Sequence, residues 1–259
     1  RALEKIIAAT KRAEHPLKVL RLASNRLLAG GAALLAEAVV PDVEELDLRR
    51  NLIGDEGCKA LCDAIQKPDA HGRTCGLRTL KLAYNAIRDV APVASALSAV
   101  QGLRVLDLGH NAAGADVDAF AKLLNSIGNG ALLRDVSLEA NGLGAVPEHV
   151  AAIEALFKRA KPPLSKVDLY DNPAITLKDT LRLIAALHDN IALRTVRISS
   201  QAGDRYQLAD AVGKLLDHNK TVTDVDLCFP ADLDDDDLVA SISHRLVVNA
   251  LTGVVDISL

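Results

Sequence analysis

The chain has 259 residues, 49% hydrophobic and 25% charged, with 30 basic and 34 acidic side chains for a net charge of −4. That balance suits a folded core; it excludes a disordered or collagen-like chain and lacks the basic excess of a nucleic-acid binder. With three Phe, three Tyr and neither Trp nor Met, the core must be built from many aliphatic side chains of similar size, which points to repetition.

In chain order, Leu3–Ala13 reads as an amphipathic helix with Glu4, Lys5, Lys11 and Arg12 on its polar face, not as a secretory signal. Residues 1–14 are therefore expected to form the helix of a preceding partial repeat or a cap. From Leu17 onward one pattern recurs: apolar, two residues, apolar, one residue, apolar, two residues, Asn. It reads Leu17, Leu20, Leu22, Asn25; Val43, Leu46, Leu48, Asn51; Leu77, Leu80, Leu82, Asn85; and Leu103, Leu106, Leu108, Asn111. It continues as Leu133, Val136, Leu138, Asn141 and Leu164, Val167, Leu169, Asn172, then with Gln201 and Pro230 in place of Asn after Leu193, Val196, Ile198 and Val222, Val225, Leu227. A partial ninth copy places Val255 and Ile257 in the register of Val225 and Leu227.

The third apolar position recurs at intervals of 26, 34, 26, 30, 31, 29, 29 and 30 residues. Each copy predicts a short strand with alternating burial, followed by a helix of ~15 residues, as in Leu34, Leu35, Ala38, Val39 or Leu61, Ile65. One such unit cannot bury its own apolar faces, so neighbours must stack into a continuous core. The Asn column is read as structural. A sharp turn after each strand leaves backbone N–H and C=O groups inside the stack, and an Asn amide can satisfy both kinds.

The run Leu46-Asp47-Leu48-Arg49-Arg50-Asn51-Leu52-Ile53-Gly54-Asp55-Glu56-Gly57-Cys58-Lys59-Ala60-Leu61 resembles the leucine-rich repeat of the ribonuclease-inhibitor subfamily. The resemblance covers essentially the whole chain. It implies an α/β solenoid, a horseshoe with a parallel β-sheet on its concave face and α-helices on its convex face, as a single domain of eight repeats plus a partial ninth over residues 1–259. The intervals depart from those the subfamily favours, so curvature should be irregular, most of all around the loop 67–76.

Several constellations invite a functional reading. Between the second and third apolar positions the strands present Arg21, Asp47, Lys81, Asp107, Ser137, Asp168, Arg197, Asp226 and Asp256. With strands ~4.8 Å apart, Arg21–Asp47–Lys81–Asp107 would make a ladder of alternating charge, either solvated pairs that neutralise one another or a pattern that a partner reads. Tyr84 and Tyr170 fall on the concave face or its rim, with His110, Asp171 and Phe229 at matching positions of other repeats, where exposed aromatics would anchor an interface or pack on a neighbouring loop. Asp226, Asp234 and Asp235 belong to an acidic cluster that also holds Asp224, Asp232, Asp236, Asp237 and Asp256. It favours a basic partner surface, with a helix start or a weakly supported calcium loop as the other readings. Phe120 and Phe157 sit at core spacing.

No nucleophile elbow, phosphate loop, zinc-protease helix, C-x-x-C or dinucleotide-binding glycine motif occurs. Neither a catalytic activity nor a cofactor is therefore expected, and no apolar run approaches a membrane span. Cys58, Cys62, Cys75 and Cys228 have neither disulfide-framework density nor zinc-site spacing, which suits a reducing, cytoplasmic location. The expected function is a non-enzymatic scaffold that binds a protein partner on the concave face. A cytoskeletal partner is raised because the last copies are similar to the actin-capping tropomodulin repeats. The alternative is a GTPase activator, because the Ran GTPase-activating proteins share this type of repeat. The chain opens inside a helix, lacks Met, and closes inside a strand, so it is expected to be part of a longer protein or to have its last strand covered by a partner.

Overall fold

The computed structural model describes residues 2–12, 17–38, 40, 42–68, 75–100, 102–129, 132–198 and 205–227. The chain divides into two compact units, Arg1–Ser137 and Leu138–Leu259. The partial ninth copy, residues 69–74 of the long loop, and the acidic residues from Asp232 onward lie outside the described residues.

The first unit opens with helix α1 (Ala2–Arg12) and then alternates β1 (Val19–Arg21), α2 (Leu28–Ala38), β2 (Glu45–Asp47), α3 (Gly54–Gln66), β3 (Thr79–Lys81), α4 (Ala91–Ala99), β4 (Val105–Asp107), α5 (Val117–Asn129) and β5 (Asp135–Ser137). Each strand pairs in parallel with the next, so Leu20, Leu46, Leu80, Leu106 and Val136 form one column across the sheet. The second unit carries α6 (Pro147–Arg159), β6 (Lys166–Leu169), α7 (Leu177–Ala186), β7 (Thr195–Ile198), α8 (Arg205–His218) and β8 (Asp224–Asp226). There Val167, Val196 and Val225 continue the same pattern in parallel pairs.

The packing follows from the apolar spacing. Strand residues facing the helices are buried, while α3 turns Cys58, Leu61, Cys62 and Ile65 inward and α5 turns Phe120, Leu123, Leu124 and Ile127 inward, at helical spacing. Phe120 and Phe157 are fully buried, as their spacing implied. Consecutive helices pack closely where small residues allow it. A Cβ added at Gly57 would come within 2.9 Å of the Ile53 Cβ and 3.1 Å of the Ala32 Cβ, so glycine sets the approach of α2 to α3.

The Asn column closes each turn. The Asn85 Oδ1 accepts from the backbone N–H of Asn51 at 3.0 Å and of Ile53 at 3.4 Å, while its Nδ2 donates to the carbonyls of Leu48, Leu82 and Ala83. Asn51 and Asn111 repeat this arrangement in the first unit. Asn172 does so in the second, accepting from Asn141 and Leu143. Each amide therefore ties its own turn to the preceding one.

A second Asn pair joins helix ends to strands. Asn190 donates to the Phe157 and Ala160 carbonyls and accepts from Ala192 and Leu193; Asn219 bonds in the same way, to Leu187, His188 and Asn190 and from Thr221 and Val222.

Candidate functional site

The sheet face away from the helices carries the candidate residues, and the turn after each strand decides how they present. The residue before each Asn adopts a left-handed backbone: Ser24, Arg50, Tyr84 and His110 in the first unit, Ala140 and Asp171 in the second, with φ between 49° and 63°. Such a conformation is uncommon for bulky side chains. It persists because ladder bonds continue past the strands, from Ser24 N–H to the Arg49 carbonyl at 2.8 Å, Arg50 to Ala83 at 2.9 Å and Tyr84 to Gly109 at 3.0 Å.

Residues held in the same conformation on successive strands project side by side. The Tyr84 and His110 rings stack with centroids 3.9 Å apart and planes 12° from parallel. On the other side of Tyr84, the Arg50 guanidinium carbon lies 4.1 Å from the ring centroid. Arg50, Tyr84 and His110 thus make a three-layer stack across three consecutive repeats. Tyr84 is 37% exposed, Arg50 is exposed and His110 half-buried.

The second unit also places an arginine against a tyrosine. The Arg197 guanidinium carbon lies 4.9 Å from the Tyr170 ring centroid. Here its nitrogens also bond Asp168 at 2.8 Å and Asp226 at 2.9 Å, both carboxylates being nearly buried. Burial alone would weaken the Arg197 charge, but the two carboxylates outweigh it and hold the proton more tightly than usual.

The comparisons with known proteins fit this architecture. The profile of the family described as "Leucine Rich repeat" matches residues 41–62. The crystal structure of the leucine-rich repeat-containing protein LegL7 from Legionella pneumophila superposes with a TM-score of 0.63 over 93% of this chain and 75% of that one, at 14% identity. The fold is a leucine-rich-repeat solenoid. The Rad7 and Elc1 complex in yeast also aligns, with a TM-score of 0.59 at 13% identity, over 94% of this chain and 56% of that one. In sequence, the chain is 40% identical over 70 residues to NACHT, LRR and PYD domains-containing protein 3 of Macaca mulatta, covering 27% of this chain. It is 33% identical over 105 residues to the human NACHT, LRR and PYD domains-containing protein 12, covering 39% of this chain. The matched stretches span only 6% and 10% of those relatives.

Within the leucine-rich repeats, the sequence candidates separate. Tyr84 and His110 come together in the stack. Asp171 occupies the equivalent left-handed position of the second unit and is exposed. Tyr170 is not at the matching position: it lies one residue earlier, half-buried against Arg197, with its N–H donating to Asp168. Asp226 belongs to the Arg197 cluster. Phe229, Asp234 and Asp235 lie outside the described residues.

The alternating ladder has the expected register, Arg21 opposite Asp47 and Asp47 opposite Lys81, but different partners. Arg21 bonds Glu45 at 2.8 and 3.1 Å, which holds that carboxyl below its usual range. Burial pushes the Asp47 carboxyl up, yet forked bonds from Arg49 at 2.7–3.1 Å prevail and leave it below the usual range. Arg50 went unnoticed in the sequence, although it stands one residue before Asn51 as Tyr84 and His110 stand before Asn85 and Asn111. Among the described residues no cluster of His, Cys, Asp or Glu could hold a metal ion, and no helix is long and apolar enough to cross a membrane.

Proposed function

We propose that this chain is a non-catalytic leucine-rich-repeat scaffold that binds a protein partner on its sheet face, with the Arg50–Tyr84–His110 stack as the anchor. The observation that carries this reading is a planar stack spanning three repeats and left partly open to solvent, since pre-ordered Tyr and Arg side chains supply much of the binding energy at protein interfaces. The strand, Asn turn and helix unit supports placing the repeats with the ribonuclease-inhibitor subfamily. The buried free thiols of Cys58, Cys62 and Cys75 accord with a reducing, cytoplasmic location.

A photo-crosslinking residue placed at Lys81, on strand β3 of the sheet face, in native extract is expected to capture a partner that the same residue at Lys122, on the exposed side of α5, does not. Equal capture from both sites would move the interface off the sheet face. A cytoskeletal partner would appear directly among the captured proteins. The GTPase-activator alternative is tested by single-turnover GTP hydrolysis with small GTPases, where stimulation by this chain would replace the non-catalytic reading.

A further inference from the structure

Resting on that sheet-face reading, we infer that the turn rim of the first unit binds an acidic peptide segment, with Arg50 receiving a carboxylate and Tyr84 and Leu52 covering an adjoining apolar side chain.

Charge at the rim is one-sided. The residues flanking the first four Asn are Ser24 and Arg26, Arg50 and Leu52, Tyr84 and Ala86, His110 and Ala112: two arginines, a histidine and no carboxylate. Elsewhere in this unit Arg21 is paired with Glu45, Arg49 with Asp47 and Arg78 with Glu44, while Arg104 donates to the Leu132 carbonyl. Arg26 and Arg50 are exposed and make no ion pair among the described residues. Carboxylates at neighbouring turns accept from backbone N–H groups: Asp55 from Arg88 and Asp89, Asp89 from Ala91, and Asp107 from Gly109.

The rim also holds its cation in place. One face of the Arg50 guanidinium rests on Tyr84, which limits the rotamers lost on binding and leaves the N–H edge for a forked bond to a carboxylate. Beside it Leu52 is 56% and Leu28 55% exposed, and Leu28 is tied to the same turn by its N–H bond to the Asn51 carbonyl at 3.0 Å. A charged edge next to an apolar shelf fits a peptide that alternates Asp or Glu with an aliphatic or aromatic residue. A nucleic acid fits less well, because the exposed basic groups of the rim are few and stand beside the exposed Leu28 and Leu52, whereas a phosphate backbone needs a continuous row of cations. The basic partner expected from the acidic C-terminal cluster concerns a different segment.

The test is fluorescence anisotropy of the whole chain with four probes: an Asp/Glu-rich peptide with one central Leu, its Asn/Gln counterpart, its Lys/Arg counterpart, and a single-stranded oligonucleotide. The acidic peptide is expected to bind, more weakly as salt rises, and the other three to bind at least about tenfold more weakly, as loss of a central anchor contact would produce. Arg50→Lys, which keeps the charge but loses the planar fork, and Tyr84→Asn, which accepts the left-handed backbone, should each weaken it by about tenfold. Unchanged melting temperatures would show both variants folded, and Lys122→Ala should bind as the parent does.

Preference for the oligonucleotide, or equal binding of the neutral peptide, would overturn the inference. Binding of the basic peptide that is lost in Tyr84→Asn would also overturn it while leaving the stack as the anchor of the scaffold. Acidic-peptide binding indifferent to Arg50 and Tyr84 would overturn both.

Discussion

The two units pose the same contact in opposite electrostatic settings. In the first, Arg50 lies over Tyr84 at a turn with no carboxylate beside it; in the second, Arg197 lies over Tyr170 while Asp168 and Asp226 grip it from both sides. A cation over an aromatic ring is therefore not in itself a binding feature. The carboxylates decide: where they converge the arginine fastens neighbouring strands together, and where they are absent it stays exposed on its aromatic neighbour. The left-handed turn adds the other half of the difference, because Arg50 projects from the rim whereas Arg197 stands within strand β7.

The comparison presumes one repeat frame in both units, and the largest effect tests that presumption. Asn85→Ala and Asn172→Ala each leave two buried backbone N–H groups without their acceptor. At ~1–3 kcal/mol for each unsatisfied group, both variants should lose about 3 kcal/mol, read as a lower urea midpoint. A large loss for one and none for the other would mean that the units are not held by the same device.

That frame was legible in the sequence because it is local and repeated. Alternation of Leu46, Asp47 and Leu48 followed by Asn51 fixes a strand, a register and a turn without reference to distant residues. The charge pairing was less legible. Looking straight across the strands pairs Arg21 with Asp47, yet the arginine reaches diagonally to Glu45, while Asp47 takes Arg49 from two residues along its own chain. Long arginine side chains make such choices among several acceptors within reach, and residue spacing alone does not rank them. Tyr170 differs for another reason: it stands two residues before Asn172 instead of one, just past the end of β6, where the backbone is not left-handed and its ring meets Arg197. The Asn190 and Asn219 pair had a visible signal that went unread, since each stands three residues before the first apolar position of its strand, Leu193 and Val222.

Removing each arginine separates the two settings further. Breaking a fully buried charge pair costs about 3–5 kcal/mol; Arg197 is 30% exposed, so Arg197→Ala should cost roughly 2 kcal/mol by stranding Asp168 and Asp226. Arg50→Ala forfeits only an exposed cation–π contact and should cost less than about 1 kcal/mol. Chemical denaturation of the two variants beside the parent decides it. Equal losses would dissolve the distinction between a fastening and an available arginine, and Arg50 would then count as part of the framework.

The smallest effect is a pH dependence within the first unit, where Arg49 on Asp47 shows what Arg50 would look like if a carboxylate engaged it; Asp47 is the group that titrates. Its carboxyl is nearly buried, which by itself opposes ionisation, but the forked bonds from Arg49 bring its titration below the ordinary range. A folded-state value lower than the unfolded one means that the pair contributes stability above the unfolded value, about pH 4 for an aspartate. The contribution is lost as pH falls through the lower folded value. Arg49 is 44% exposed, so solvent screens the pair and the contribution is modest. Melting temperatures of the parent and of Asp47→Asn should therefore run parallel from neutrality to about pH 5 and converge below about pH 4, where the parent protonates and the amide does not. Curves that stay parallel throughout would mean that Arg49 does not hold the carboxylate, and would return that arginine to the set available for an acidic partner.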